Sequence, residues 1–338
     1  MKYDSVAFIP NPAEAGPSAK AAQAAGADSW FTAEVGYDPF VACAAAAAAA
    51  PGLEIGTAIA VAFARTPMTV AYSANDLQGL TGGKFVLGLG TQIKPHIERR
   101  YAMEWSKPAA RMEEFIAALH AIWTAWREGT RLDFRGDFYE HTLMTPMFAG
   151  TDHGFGPPKI AMAAVGPLMT KVTGRAADLF LAHAFTTETF LRETSLPALY
   201  AGIEEAGRSR DDVGINVTSF VITGRTDEER AATEAMVRNQ LAFYGSTPAY
   251  RPVLEAHGWG DLQAELNTMS KQGKWVEMGE ILPEEMLEAF ALVVDDPDDV
   301  GAAYMERFGD VATRAGLYPT WQPDAQATAA FKDAIGAG

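Results

Sequence analysis

The feature that most constrains this chain is a rhythm. Short apolar segments at positions 3–9, 29–32, 53–61, 85–89, 159–163, 178–182 and 215–222 alternate with helical stretches at 18–25, 39–50, 67–81, 108–128, 168–176 and 187–205. Most of these segments run apolar without a break, so each reads as a strand buried on both faces, and such strands separated by helices build parallel βα units. A helix at 297–308 and a strand at 312–318 complete a series of about eight, which predicts a closed (β/α)8 TIM barrel. The rival is an open doubly wound sheet, marked by G-x-G-x-x-G after its first strand. Here the first strand runs into IPNPAEAGPS, and the pair Gly88 and Gly90 follows the fourth strand without a third glycine.

Between 225 and 288 the rhythm gives way to polar, helical sequence opening on TDEER, which predicts a helical insertion within one domain spanning 1–338. Forty-eight per cent hydrophobic residues supply a core of that size. With 27 basic against 43 acidic residues the formal charge is -16, which argues against nucleic acid or an anionic membrane as partner. Any anionic ligand must find cations gathered locally. Cys43 is the only cysteine, so no intrachain disulfide can form. The start MKYDSVAFIPNP carries no long apolar run, and the alanine run at 41–52 is too short for a bilayer. A cytoplasmic protein is expected.

In an α/β barrel the chemistry gathers at the carboxyl ends of the strands. That rule selects Glu34 after SWFTA, the loop Thr91, Gln92 and His96 after FVLGLG, and His183 after DLFLA. Glu34 and His96 are the candidates for proton transfer, and a turn cap or a solvated helix residue is the plainer reading of each. His183 reads as a hydrogen-bonded wall residue with a site role as the alternative. In AAVGPLMTKVTGR a strand, a turn at Ala164, Val165 and Gly166 and a helix start present backbone N–H groups to an anion, or simply make an ordinary βα turn. No metal is expected, since neither H-E-x-x-H nor C-x-x-C occurs. A Ser-His-Asp hydrolase is unsupported because G-x-S-x-G is missing.

The segments IGTAIAVAFARTPMTVA, GLTGGKFVLGLGTQIKPHIERRYAMEWSKPAARMEEFIAALHAIW and AAVGPLMTKVTGRAADLFLAHA together resemble the bacterial luciferase-like monooxygenase superfamily, within it the oxidoreductases that use the deazaflavin coenzyme F420. The resemblance covers most of the chain. It implies a flavin or deazaflavin at the barrel mouth, with coenzyme F420 expected and FMN the alternative. It also implies a nonprolyl cis peptide at Ala58-Ile59 supporting the ring, Glu34 near the ring and Ala164 to Gly166 as a phosphate loop. Two positions depart from it: Val35 stands where relatives commonly have histidine, and Ile93 where those acting on a sugar phosphate have a proton-donating glutamate.

The implied activity is hydride transfer between coenzyme F420 and a small-molecule substrate. An FMN-dependent monooxygenase and a flavin-binding protein without turnover are the alternatives. Phe63 is expected against the substrate, whereas Val61 and Phe8 are expected in the core. Lys94, Arg99, Arg100, Lys107 and Arg111 form either a groove for the acidic cofactor tail or ion pairs on solvated helices. Families of this kind often dimerise through barrel helices, so a homodimer is expected.

Overall fold

The computed structural model describes residues 1–336. Eight parallel strands close a barrel: β1 (Lys2–Ala7), β2 (Ser29–Thr32), β3 (Glu54–Thr57), β4 (Phe85–Gly90), β5 (Lys159–Ala164), β6 (Leu179–Ala182), β7 (Gly214–Ile222) and β8 (Arg314–Leu317). Each strand pairs with its neighbours in chain order, and β8 returns to β1 through Lys2 opposite Arg314. The helices lie outside, as the buried strands require. Pro39–Ala49 starts with the Asp38 side chain accepting from the Phe40 N–H. Its small residues let it approach Ala15–Ala24 closely enough that a Cβ on Gly16 would stand 3.1 Å from the Ala49 Cβ.

The floor of the barrel is polar and closed. Arg314 donates to both oxygens of the fully buried Asp4, at 2.7 and 2.6 Å, and Asn216 donates to Oδ2 at 2.6 Å. Above it Phe31, Val86, Ala161, Leu179 and Leu181 fill the interior. This layer lies between the Asp4–Arg314 pair and the mouth, where the strands' carboxyl ends open, and Asn216 reaches past it to the cavity.

The segment 53–61 was expected as one strand, and it divides. Glu54–Thr57 pairs with β4, the Ala58-Ile59 peptide is cis, and Ala60–Val61 resumes pairing opposite Leu89 and Gly90. Where the ladder is interrupted the Thr57 hydroxyl replaces it, donating to the Gly88 carbonyl at 2.7 Å and accepting from the Gly88 N–H at 2.9 Å. The two glycines of β4 serve this close approach. A Cβ on Gly88 would lie 1.7 Å from the Thr57 oxygen, and one on Gly90 2.8 Å from Ile59.

After β7 the chain forms the helices Asp227–Gly245, Arg251–Glu255, Gly260–Lys271, Trp275–Glu280 and Glu284–Phe290. They pack on Phe185 and Phe220 through their own apolar cluster, including Leu241, Leu254, Leu266 and Phe290. A short strand not anticipated from sequence, Ala291–Val293, then pairs with the outer end of β7. No helix among the described residues is long and apolar enough to cross a membrane.

Candidate active site

A cavity of about 400 Å3 opens at the carboxyl ends of the strands, within the range of small-molecule and cofactor sites. Its inner wall is apolar and comes from the strands: Phe31, Ala58, Ile59, Ala163 and Leu181. Its outer wall is aromatic, built by Phe8 after β1, Tyr318 after β8, and Phe243, Tyr244 and Tyr250 from the helical segment after β7. Tyr318, Phe243, Tyr244 and Tyr250 were missed from sequence. The only signal for the last three was the run LAFYGSTPAY at and just beyond the end of a polar helix.

Glu34 lines the cavity and is nearly buried. Its Oε2 accepts from the Val61 N–H at 2.7 Å and from Arg65 at 2.6 Å, and its Oε1 accepts from the Tyr101 hydroxyl at 2.9 Å. Arg65 in turn reaches Asp38 at 2.8 Å. The carboxylate therefore ties the end of β2 to the resumed third strand and to the turn after β4, with Arg65 holding its charge in place.

The turn after β4 carries Gln92 and His96 into the cavity. Gln92 sits in the left-handed region at φ 60°, which a non-glycine residue adopts at a cost and mostly where surroundings enforce it. Its own side-chain oxygen accepts from the Ile93 N–H at 3.2 Å. His96 begins the π-helical turn His96–Arg100, closed by the Tyr101 N–H on the His96 carbonyl at 3.0 Å. Such turns are rare and concentrate at functional sites. The His96 Nδ1 is buried with no hydrogen-bond partner in the protein, a group that needs a ligand or water.

His183 also reaches the cavity, between Tyr244 and Tyr250 with ring centroids 4.8 Å from each. Its Nδ1 accepts from the Phe185 N–H at 3.0 Å, which places the ring proton on Nε2, 3.2 Å from the Tyr250 hydroxyl. Burial pushes its pKa down to about 4, so the ring is neutral. The Tyr244 and Tyr318 hydroxyls share a hydrogen bond of 2.7 Å, and burial raises both phenols. These groups are a wall, not a titrating pair.

Several expected residues lie elsewhere. Phe63 is fully buried beneath the wall, edge-on to Trp105 at 5.9 Å with the Arg111 guanidinium 4.7 Å from its ring, so it is core and touches no ligand space. Val61 is likewise core, but Phe8 is not: it lines the cavity and is 45% exposed. Thr91 stays behind the wall, its hydroxyl turned to the Gln92 carbonyl at 2.9 Å. Ala164 and Val165 border a closed cleft behind His183, outside the main cavity. Gly166 caps the helix Pro167–Ala176 with open space around it.

Two of the five cations expected in a groove are spent within the chain. Arg111 turns inward to the Glu104 carbonyl and Tyr139, and Lys94 faces Glu98 at 3.6 Å. Among the described residues Arg100 is the one Lys or Arg that lines the cavity, donating to the Val35 carbonyl at 2.7 Å.

The luciferase-like monooxygenase family model matches residues 2–314. An uncharacterized protein of Mycobacterium tuberculosis is 48% identical over 307 residues, 90% of each chain. Another from that organism, provisionally named a coenzyme F420-dependent oxidoreductase, is 28% identical over 83% of each chain. Among solved structures, the coenzyme F420 dependent tetrahydromethanopterin reductase from Methanopyrus kandleri superposes with a TM-score of 0.78 at 19% identity, covering 97% of this chain and 96% of its own. The oxygenating constituent of 3,6-diketocamphane monooxygenase from Pseudomonas putida, in complex with FMN, gives 0.63 at 17%, covering 99% and 95%. At these identities the structural likeness is one of fold. The family match over nearly the whole chain goes further: this protein belongs to the luciferase-like monooxygenase family.

Proposed function

We propose that this member of the luciferase-like monooxygenase family is an oxidoreductase that passes hydride between coenzyme F420 and an organic substrate. The observation that carries the reading is one cavity lined by the apolar slab of Phe31, Ala58, Ile59, Ala163 and Leu181 and by the His96 ring. A flat ring would fit such a place, with one face on hydrocarbon and the other open to the substrate and the turn that carries His96 and Gln92. Bound there, the deazaflavin supplies the two-electron chemistry.

The chain's own residues supply position and a proton path. The apolar wall excludes water from the reacting face. Glu34 acts as a positioning residue, because both carboxylate oxygens are already engaged. His96, whose ring lines the cavity, is the group to hold or accept a proton at the substrate. The open N-terminus of Pro167–Ala176 at Gly166 would receive the cofactor phosphate, and His183 would border it. That a relative carries a coenzyme F420 name supports the cofactor.

One observation favours the FMN-dependent reading. With Arg111 turned inward and Lys94 facing Glu98, fewer cations remain for an acidic cofactor tail, which FMN lacks. The separating experiment is anaerobic turnover: protein, F420 and candidate alcohols, followed by deazaflavin absorbance, beside oxygen uptake with FMN and a reductase. Anaerobic reduction of F420 supports the proposal. Oxygen uptake with FMN alone would replace it.

A further inference from the structure

We infer that the substrate is an uncharged, mainly apolar molecule with a carbonyl or hydroxyl group toward His96 and Gln92, whose bulky body rests at the mouth of the cavity on Phe8, Val35 and Phe243. This deepens the reading above, and rests on it only in taking the cavity as the reaction chamber.

The first observation is a hydrogen-bond count. Of the polar side chains lining the cavity, most are spent on one another. Glu34 serves three donors, Thr218 donates to the Asn216 oxygen at 3.0 Å while the Asn216 amide serves Asp4, Tyr244 pairs with Tyr318, and His183 with Tyr250. What remains without a protein acceptor or donor is the His96 ring and the Gln92 side-chain NH2, whose oxygen alone is engaged, on the turn after β4, and the Thr247 and Tyr250 hydroxyl protons on the outer wall. Two neighbouring groups on one turn can read one small polar group. A substrate rich in hydroxyls would leave its own groups unpaired against aromatic rings.

The second observation is charge. A phosphorylated or carboxylated substrate needs a cation that faces it. Arg100 is the one Lys or Arg among the described residues lining the cavity; it bonds the Val35 carbonyl and lies 5.0 Å from the Tyr101 ring. Glu34 on the same wall is already paired with Arg65 at 2.6 Å, and the whole chain carries -16. An anion would meet one cation, already bonded to a carbonyl, against an opposing net field.

The third observation is the mouth. Phe8, Val35 and Phe243 line the cavity and yet are 45%, 59% and 50% exposed, and Trp275, also 50% exposed, lies 6.2 Å from Phe243. Scattered exposed apolar residues need no explanation, but a set that continues an aromatic cavity outward marks a ligand surface. The body of the substrate therefore extends past the cavity onto this rim.

The test uses prodan, an uncharged naphthyl ketone whose emission shifts blue in apolar surroundings, with a naphthalene sulfonate as the anionic counterpart. Titrated into the full-length protein, prodan should bind with a blue shift and the sulfonate on the order of tenfold more weakly. Val35→Asp and Phe243→Ser, both at exposed positions that leave the core untouched, should each weaken prodan on the order of tenfold. His96→Phe should weaken prodan while sparing a naphthalene that lacks the carbonyl. Equal binding of the sulfonate, prodan binding indifferent to both rim variants, or no prodan binding would overturn the inference. F420 titrated into the same preparation separates the two readings. Loss of F420 binding with the prodan pattern intact would remove the cofactor and leave the substrate class standing; the reverse would do the opposite.

Discussion

Replacing Glu34 tests the assignment of that carboxylate to positioning. In Glu34→Ala the Val61 N–H, buried in the third strand, loses its acceptor. An unsatisfied buried donor costs about 1–3 kcal/mol. Arg65, whose side chain is 17% exposed, loses its 2.6 Å partner but keeps Asp38, so its share stays near ~1 kcal/mol, short of the ~3–5 for a fully stranded buried charge. Together Glu34→Ala should cost about 3 kcal/mol. In Glu34→Gln one amide oxygen still accepts from Val61 and Arg65, and the Tyr101 hydroxyl can rotate to accept from the new NH2. Only the charge is lost, for about 1 kcal/mol. Urea unfolding of the two variants reads the gap of about 2 kcal/mol directly. Adding Arg65→Gln should cost less in the Glu34→Ala background than in the wild type. Equal cost for Glu34→Ala and Glu34→Gln, or both within about 0.5 kcal/mol of wild type, would refute the three-partner account.

His183 is held at about 4 by burial, below its unfolded 6.5, so the unfolded chain binds the proton first. Its contribution to stability is intact above pH 6.5 and is lost as the pH falls toward 4, amounting to about 2–3 kcal/mol after allowance for the open cavity beside it. Urea midpoints of wild type and His183→Gln across that window should diverge, and parallel curves would remove the burial argument. Gly88→Ala should prevent the barrel from closing normally, because its Cβ would meet the Thr57 oxygen at 1.7 Å. Native circular dichroism and an unchanged melting temperature for that variant would contradict the packing of β4 on β3. Cys43 is fully buried with its Sγ 3.5 Å from the Gly56 carbonyl, and burial followed by Asp38 raises the thiol. An aromatic disulfide reagent should therefore titrate it only after denaturation, and rapid labelling of the native protein would show that the helix Pro39–Ala49 opens.

The barrel was legible because each strand is short, apolar throughout and followed by a helix with a visible start. LFLA and FVLGLG reveal their two-sided burial without any alignment. Glu34, Gln92, His96 and His183 were reachable by the strand-end rule. Phe63 was misplaced for a physical reason: the short helical turn Ala62–Ala64 carries the chain behind the wall, so Ala62 and Phe63 turn into the core. Phe8 failed in the other direction, since one residue beyond β1 suffices to leave the barrel interior for its rim. The outer wall was illegible because Tyr244 and Tyr250 sit on helices remote in sequence from the strands they face, and nothing in a polar helix says which barrel end it will cover. Ala291–Val293 was hidden by its length, three residues paired only with the outer end of β7.

The central claim concerns the cofactor, and paired equilibrium titrations of cofactor-free protein with coenzyme F420 and with FMN at physiological salt test it most directly. The account predicts tight binding of F420 and weak binding of FMN, with His96→Ala slowing F420 reduction more than it weakens F420 binding. Tight binding of FMN with none of F420 would contradict it.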